Sequence, residues 1–563
     1  MHKPLLIIYG KNEVDISKYG EAYVYKLSSL KIKSSYKFKV LNNPSKLDEI
    51  ADSEKKSYIK WIYSIGDMNI YRKISDFLNF DLFLLGDLAS IRNEVYQTFN
   101  ALCNIKFLKI MKKKHNPSSI ELINLPIEYE KLFYINLIKK DYLLKNIYLT
   151  SKSTFKKLLL LNKVFINIII FSIKNIIYSL ILNFIPYKNF KYSNNKNNLY
   201  LTRFPLHFKN SNKEEKYSFM FDLDSNNNVY LIDIISDGIH QNLSLFWCLK
   251  SIKRLLKLNS KFILLDKYIN IYDYILIFMK IPLILITYLF LINKNYSFKN
   301  INLSFSIHIE QIYSLSKNIR LLFLAPKIER ISRNKFSKNI IYTIFEYPYG
   351  RLVSYFFNNS GFIKTIGMQH GPSSSRKLYH YSKISKKNNP YFPSEIICED
   401  YYSMKIYKES KYKNISVMKK IPRLDYLSNF KSSTNKKYNL IFGGLHDSNS
   451  ILIELEEYIK STDIQFIFKP HPRTKLSTET KNLIEKLDNL DTTNEHFIRL
   501  LRQCNNVFCT YTSIGYEALL LNFNVKIIDL PGIVNLSQLA DRNFIKSKKI
   551  KKMLEFISRN KHN

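Results

Sequence analysis

The chain has 563 residues, 46% of them hydrophobic, and a formal net charge of +40 carried more by Lys than by Arg. That length exceeds one ordinary core, so two or three domains of ~100–200 residues each are expected. The charge favours anionic partners, but no RRM, KH, zinc-finger or helix-turn-helix signature accompanies it, and Lys is enriched together with Asn, Ile and Tyr, which share AT-rich codons. Nucleic acid is therefore not expected as a partner.

Cys103, Cys248, Cys398, Cys504 and Cys509 are scattered, with no CxxC pair. Neither a disulfide framework nor a zinc site is expected, and the chain reads as cytosolic and reduced. The N-terminal MHKPLLIIYG has too short an apolar run for a signal peptide and reads as a first strand.

In chain order, Leu5–Tyr9 and Ala22–Leu27 predict strands, and Phe80–Lys114 has helical spacing. Residues 1–148 form an N-terminal α/β region, and 149–197 a Lys/Ile-rich helical insertion. Phe165–Pro186 and Tyr268–Asn293 are apolar but interrupted by Lys174, Asp273 and Lys280. They read either as buried helices or as amphipathic helices lying on the inner membrane surface.

From Asn198, strands alternate with helices: Leu199–Thr202, Tyr217–Leu223, Val229–Ile235, a helix Leu243–Leu258, Lys261–Leu265, Arg320–Ala325, Ile340–Phe345, Phe362–Ile366 and Glu395–Cys398. This pattern indicates a mainly parallel, doubly wound sheet over 198–428. After the polar stretch Asn429–Lys437, a last domain over 438–545 opens with the strand Tyr438–Phe442 and the turn Gly443-Gly444. A basic tail, 546–563, is expected to pack loosely.

Two junctions in the last domain carry the chemistry. The run Ile464–Phe468 ends in Lys469-Pro470-His471-Pro472-Arg473. Two prolines restrict the backbone around His471, and all three cationic side chains can donate to phosphate oxygens. The run Val507–Cys509 ends in Thr510-Tyr511-Thr512-Ser513 and a helix from Ile514. Such a helix start offers free N–H groups and a positive dipole to an anion. Gly515 is expected to allow close approach of a ligand, and Glu517 to accept from a ribose. Thr512 and Ser513 also serve as ordinary helix caps.

A further cluster lies in the preceding domain. Gln369-His370-Gly371 follows a strand, at the carboxyl end where open α/β sheets bind ligands. His370 is a candidate general base, and Glu346, also at a strand end, competes for that role. Gln369 and Arg351 are expected on the acceptor side, although Arg351 could simply pair with Glu346. Ser373-Ser374-Ser375-Arg376 reads as a flexible, phosphate-friendly loop. Asp237 and His240 end another strand and rank lower.

Together, Lys469-Pro470-His471-Pro472, Thr512-Ser513 and Gln369-His370-Gly371 resemble GT-B glycosyltransferases of bacterial surface-polysaccharide synthesis, above all polysialyltransferases, capsule Kdo transferases and teichoic-acid glycerophosphotransferases. The likeness covers about residues 340–530 and includes Ile421-Pro422-Arg423. It implies an α/β fold of two Rossmann-like domains facing a cleft, with helical insertions in the N-terminal half. It also implies an inverting, metal-independent transfer from a nucleotide-activated sugar, a CMP-sugar first, with no cofactor. His471, Lys469, Arg473, Thr512 and Ser513 would hold the donor phosphates, and Gly443, Gly444, Gly515 and Glu517 the nucleotide. The acceptor would be a surface glycan or lipid-linked, reached from the cytoplasm at the inner membrane face. The acidic-acidic-Gly base motif of some such enzymes is missing here. Polyol-phosphate transfer from a CDP-alcohol, or a non-catalytic subunit of a polysaccharide assembly complex, remain alternatives.

Overall fold

The computed structural model describes residues 3–10, 13–138, 143–184, 197–202, 204, 208, 228–234, 245–257, 261–333, 337–343, 345–369, 371–381, 389–418, 421, 424, 427–428, 430–431, 435–541 and 554–557. The expected strand Tyr217–Leu223, the pair Asp237 and His240, Pro422-Arg423 and His370 lie outside the described residues.

Three parallel sheets organise the chain. The N-terminal sheet has strands β1 (Leu5–Ile8), β2 (Ala22–Lys26), β3 (Phe38–Val40) and β4 (Ile120–Ile123) in the order β3-β2-β1-β4. The middle sheet has β5 (Asn197–Thr202), β6 (Asn228–Ile232), β7 (Phe262–Leu264), β8 (Ser337–Tyr342), β9 (Lys364–Met368), β10 (Glu395–Cys398) and β11 (Ile415–Val417). Their order is β11-β10-β9-β8-β5-β6-β7. The C-terminal sheet has β12 (Tyr438–Phe442), β13 (Phe466–Lys469), β14 (Leu490–Thr492), β15 (Cys504–Cys509), β16 (Asn524–Ile528) and β17 (Leu554–Ile557), ordered β14-β13-β12-β15-β16-β17. In each sheet the strands run outward from the first to the third, and the chain then crosses to the first strand's other side. This is the doubly wound order, with its switch point beside the first strand. The two larger sheets fulfil the α/β, Rossmann-like expectation.

The helices relevant below are α1 (Pro44–Gly66), α2 (Leu143–Phe184), α3 (Leu245–Leu255), α4 (Ile271–Leu291), α5 (Ser304–Ser332), α6 (Pro348–Ser360), α7 (Tyr401–Glu409), α8 (Ser448–Lys460) and α9 (Ser513–Leu520). One hydrophobic core joins residues of the N-terminal sheet, α1, α5, α6 and the middle sheet, whereas the C-terminal sheet has apolar cores on its two faces.

Several expectations are corrected. Arg320–Ala325 is not a strand but part of α5, buried on nearly all sides. A short apolar run fits either period, and only its helical flanks decide. Helix in Phe80–Lys114 starts at Thr98, after turns around a short helix Asp87–Ser90. α2 runs through position 148 without a break, and the basic tail contributes β17, parallel to β16.

Within the core, α5 carries Glu310, 4% exposed, which accepts from the Thr98 hydroxyl. Burial pushes its carboxyl up to about 8, with Asp87 adding to the rise and the Thr98 bond opposing it. Its unfolded value is ~4.3. Folding therefore favours the protonated form, and this stabilisation is complete below ~4.3 and lost as pH rises through about 8. Glu310→Gln keeps the acceptor and removes the charge. Thermal melts are expected to show the variant unchanged at pH 4 and more stable than wild type at pH 9, by about 1–3 kcal/mol. Equal stability at both pH values would refute this.

Candidate nucleotide site

β12 and β15 are neighbours at the switch point of the C-terminal sheet, and β13 lies on the other side of β12. Their carboxyl ends carry Gly443-Gly444, Thr510–Ser513 and Pro470-His471. The fold thus brings both sequence-predicted junctions to one crevice.

A small hydrogen-bond network fixes these turns together. The Asp447 side chain folds back, Oδ1 accepting from the Gly444 N–H at 2.5 Å and Oδ2 from the Thr510 hydroxyl. The carboxyl is 2% exposed, and burial raises it above its ordinary value against these two donors. The Ser448 hydroxyl donates to the Gly444 carbonyl at 2.6 Å and accepts from the His471 N–H at 3.2 Å. A Cβ on Gly443 would stand 2.3 Å from Ser448 Oγ, and one on Gly444 would stand 2.5 Å from Asp447 Oδ1 and 3.1 Å from Thr512 Cγ2. Both glycines are needed because the turns touch.

Neither α8 nor α9 receives a side-chain cap from its N-cap residue, Asp447 or Thr512. Two helix N-termini therefore point their first-turn N–H groups and positive dipole ends toward the crevice. Around them stand His471, Lys469, Thr512 and Ser513, half-buried, with Arg473 and His446 exposed. The Arg473 N–H donates to His471 Nδ1 at 3.2 Å, which leaves Nε2 as the free ring nitrogen to meet a ligand. Partial burial, then the charges of Arg473 and His446, hold the His471 imidazole below its ordinary value. Partial burial also lowers the Lys469 ammonium, with Glu495 opposing. An anion bound here would reverse both shifts.

Other predicted residues are placed differently. Gly515 turns its open side inward: a Cβ would lie 2.5 Å from Cys509 Sγ, so this glycine allows α9 to pack on β15 rather than a ligand to approach. Glu517 is 5% exposed, inside the domain. Arg351 is fully buried on α6, donating to the Leu84 and Ala89 carbonyls at 2.9 and 3.1 Å with its guanidinium over the Phe392 ring. It joins the middle sheet to the N-terminal region, and Glu346 is not its partner among these bonds.

Gln369 is 4% exposed and knits its own turn, donating from Nε2 to the Gly371 carbonyl and the Ser373 and Ser403 hydroxyls. Gly371 has φ +93°, a backbone that requires glycine, and its N–H donates to Glu399 Oε1 at 3.0 Å. The loop Ser373–Arg376 is neither flexible nor open. Its residues are all buried, the Ser375 N–H donates to Asp541 Oδ2 at 2.7 Å, and Arg376 is held by Asp48 and Asp52. Four residues of small or paired polar type read as an open loop only because their partners lie far away in sequence.

Glu346 sits in a buried network that the sequence did not reveal. Its Oε1 accepts from the Tyr407 hydroxyl at 2.7 Å and lies 3.5 Å from His380 Nδ1. His380 Nε2 is buried without a hydrogen-bond partner, and burial lowers the imidazole despite Glu346. The nearest group to His380 Nδ1 is the Tyr407 hydroxyl, at 3.0 Å, so Glu346, Tyr407 and His380 form one enclosed network beneath the surface, which gives Glu346 a supporting position instead of direct contact. His380 and His446 were both missed: His380 lies in a short turn remote from any strand end, whereas His446 follows the strand Tyr438–Phe442 and the Gly443-Gly444 turn, a signal that could have found it.

The two larger sheets meet at these ends. Asp400 follows β10, caps α7 through Oδ1, and places Oδ2 3.5 Å from the Tyr516 hydroxyl of α9 and 3.3 Å from Gln538 Nε2. The carboxyl ends of the middle sheet thus adjoin the start of α9.

No family model and no curated protein matches the chain. Among solved structures it is similar to MurG from Acinetobacter baumannii, at 8% identity and TM-score 0.33, over 65% of this chain and 87% of that one. It is also similar to a UDP-GlcNAc 2-epimerase from Neisseria meningitidis (10% identity, TM-score 0.33, 64% of this chain and 94% of that one). A third similarity is to the wall teichoic acid polymerase TagF (11% identity, TM-score 0.28, 66% of this chain and 78% of that one). Scores this low carry no weight for the fold, which rests on the strand order of the sheets themselves.

Proposed function

We propose that the chain is an inverting, metal-independent glycosyltransferase of the GT-B type that moves a sugar from a nucleotide donor, a CMP-sugar first, to a glycan or lipid-linked acceptor at the inner face of the cytoplasmic membrane. The observation that supports it is the meeting of His471, Lys469, the Gly443-Gly444 turn and two uncapped helix N-termini at one switch point. Such donors stabilise negative charge as it develops on a leaving phosphate, where electrostatic stabilisation counts most. Ser513 would hold the phosphate through its hydroxyl and Thr512 and Ser513 through the backbone at the start of α9, the Thr512 hydroxyl itself being buried. The acceptor proton would go to His370, with the Glu346–His380 pair as the other base on the middle-sheet side.

The test is calorimetric binding of CMP, CDP and UDP, followed by a screen of CMP-sugars and CDP-glycerol for nucleotide release. Wild type is expected to bind a cytidine nucleotide and to release CMP from a CMP-sugar. Binding of none of the three nucleotides would sink the proposal and favour a non-catalytic subunit. CMP release from CDP-glycerol alone would replace sugar transfer with polyol-phosphate transfer.

A further inference from the structure

α2 and α4 are each long and apolar enough to cross a bilayer by length and composition. Both instead lie against α5, whose side chains they help to bury. Their protein-facing sides include polar groups among the apolar ones: Ser172 and Asn175 on α2, Asp273 and Thr287 on α4, all buried. The Tyr274 hydroxyl reaches Asn175 Oδ1 at 3.2 Å, and Arg330 grips Asp273 at 2.6 and 2.7 Å. One face of each helix is thus committed to the protein, which a lipid-surrounded span would not be.

The outward faces are apolar at helical spacing. Phe155, Ile166 and Ile173 on α2 are 62, 56 and 52% exposed, and Tyr272, Met279 and Phe290 on α4 are 62, 64 and 61% exposed. α3 packs on the end of α2 through the core shared by Tyr178, Leu182, Cys248 and Ile252, and carries Phe246, 77% exposed. Exposed apolar helix faces of this kind mark an interaction surface.

Charge identifies the occupant. Across α2, α3 and α4 the sole acidic residue is Asp273, which is buried and paired. Lys152, Lys163, Lys250, Lys253 and Lys257 are exposed beside the apolar side chains. A second copy of the chain would bring the same positive field against itself. An anionic bilayer offers both hydrocarbon and negative headgroups.

We propose that α2, α3 and α4 dock the chain in the plane of an anionic membrane, with their outer apolar side chains in the headgroup–acyl boundary and their lysines on the lipid phosphates. This deepens the membrane contact of the proposed function and rests on that part of it, independently of the transfer chemistry.

The test is flotation of the full chain with phosphatidylglycerol/phosphatidylcholine vesicles and with phosphatidylcholine vesicles alone. Wild type is expected to float with the anionic vesicles and to partition at least about tenfold less onto the neutral ones. The double variant Ile173→Glu with Met279→Glu changes only exposed positions, and is expected to partition about tenfold or more less onto anionic vesicles. Unchanged melting and nucleotide affinity in the variant separate a docking defect from misfolding and from failure of the donor-site reading. Wild type that ignores anionic vesicles, a variant that floats like wild type, or a dimer by light scattering that the variant disperses would each overturn the proposal. So would a fragment of the chain shielded from external protease by intact vesicles and lost on their lysis, since that means spanning.

Discussion

Arg376→Ala is expected to destabilise the protein by about 2–3 kcal/mol, because it removes a buried guanidinium and leaves two half-buried carboxylates without their cation. The guanidinium is 2% exposed, and it donates to Asp48 Oδ2 at 2.6 Å, to both oxygens of Asp52 at 3.2 and 3.0 Å, and to the Asn535 carbonyl at 3.2 Å. Its carbonyl accepts from Asn93. The side chain therefore pins the middle domain, α1 of the N-terminal region and the C-terminal domain at one point. Burial pushes Asp48 up to about 7 even with Arg376 beside it. Its unfolded value is ~3.9, so its protonated form stabilises the fold below that value, and this is lost as pH rises through about 7. Without Arg376 the carboxyl rises further. Urea unfolding should then show the deficit of Arg376→Ala small at pH 4 and full at pH 8. Arg376→Lys should recover only part of it, because an ammonium cannot bridge two carboxylates as a planar fork does. A variant within 1 kcal/mol of wild type at pH 8 would contradict this account.

That junction also shows what the sequence could and could not reveal. Both Rossmann-like sheets were legible, because apolar runs ending in Gly, Pro or hydroxyl residues mark buried parallel strands and their carboxyl-end turns. The crevice at the carboxyl ends of β12, β13 and β15 was legible for the same reason: Gly443-Gly444, His471 and Thr512 follow strands, and the strand order brings them together. Local pattern said nothing of partners distant in sequence. Arg376 looked like a loop cation because Asp48 and Asp52 lie over 300 residues away. Arg351 looked available because its acceptors are backbone carbonyls, which carry no sequence signal. Gly515 was credited to a ligand when the neighbour that requires it is Cys509. β17 was hidden in a basic tail, since an edge strand pairs through its backbone and needs little apolar pattern.

The donor-site reading predicts a pH-linked affinity centred on His471. In the free protein, partial burial, Arg473 and His446 keep this imidazole below 6.5 and so mostly neutral at pH 7. A nucleotide phosphate placed at the starts of α8 and α9 supplies a negative charge beside it and raises its value. Binding then takes up a proton. By linkage, affinity must increase as pH falls from above the bound value to the free one, by at most about tenfold per pH unit, and level off below. Calorimetry of CDP from pH 5 to 8 in buffers of different ionisation enthalpy reads this uptake directly. The nucleotide's own phosphate titrates in the same range, so the comparison is with His471→Ala. That variant is expected to bind about 10–100-fold more weakly at pH 6, as the loss of a charge-assisted hydrogen bond implies. Its remaining proton uptake should equal that of the free nucleotide. His446→Ala should shift the wild-type profile toward higher pH without abolishing it, because removing a neighbouring positive charge lets the His471 value rise. Identical profiles for wild type and His471→Ala would place the phosphate elsewhere, and the crevice between β12 and β15 would lose its claim to the donor.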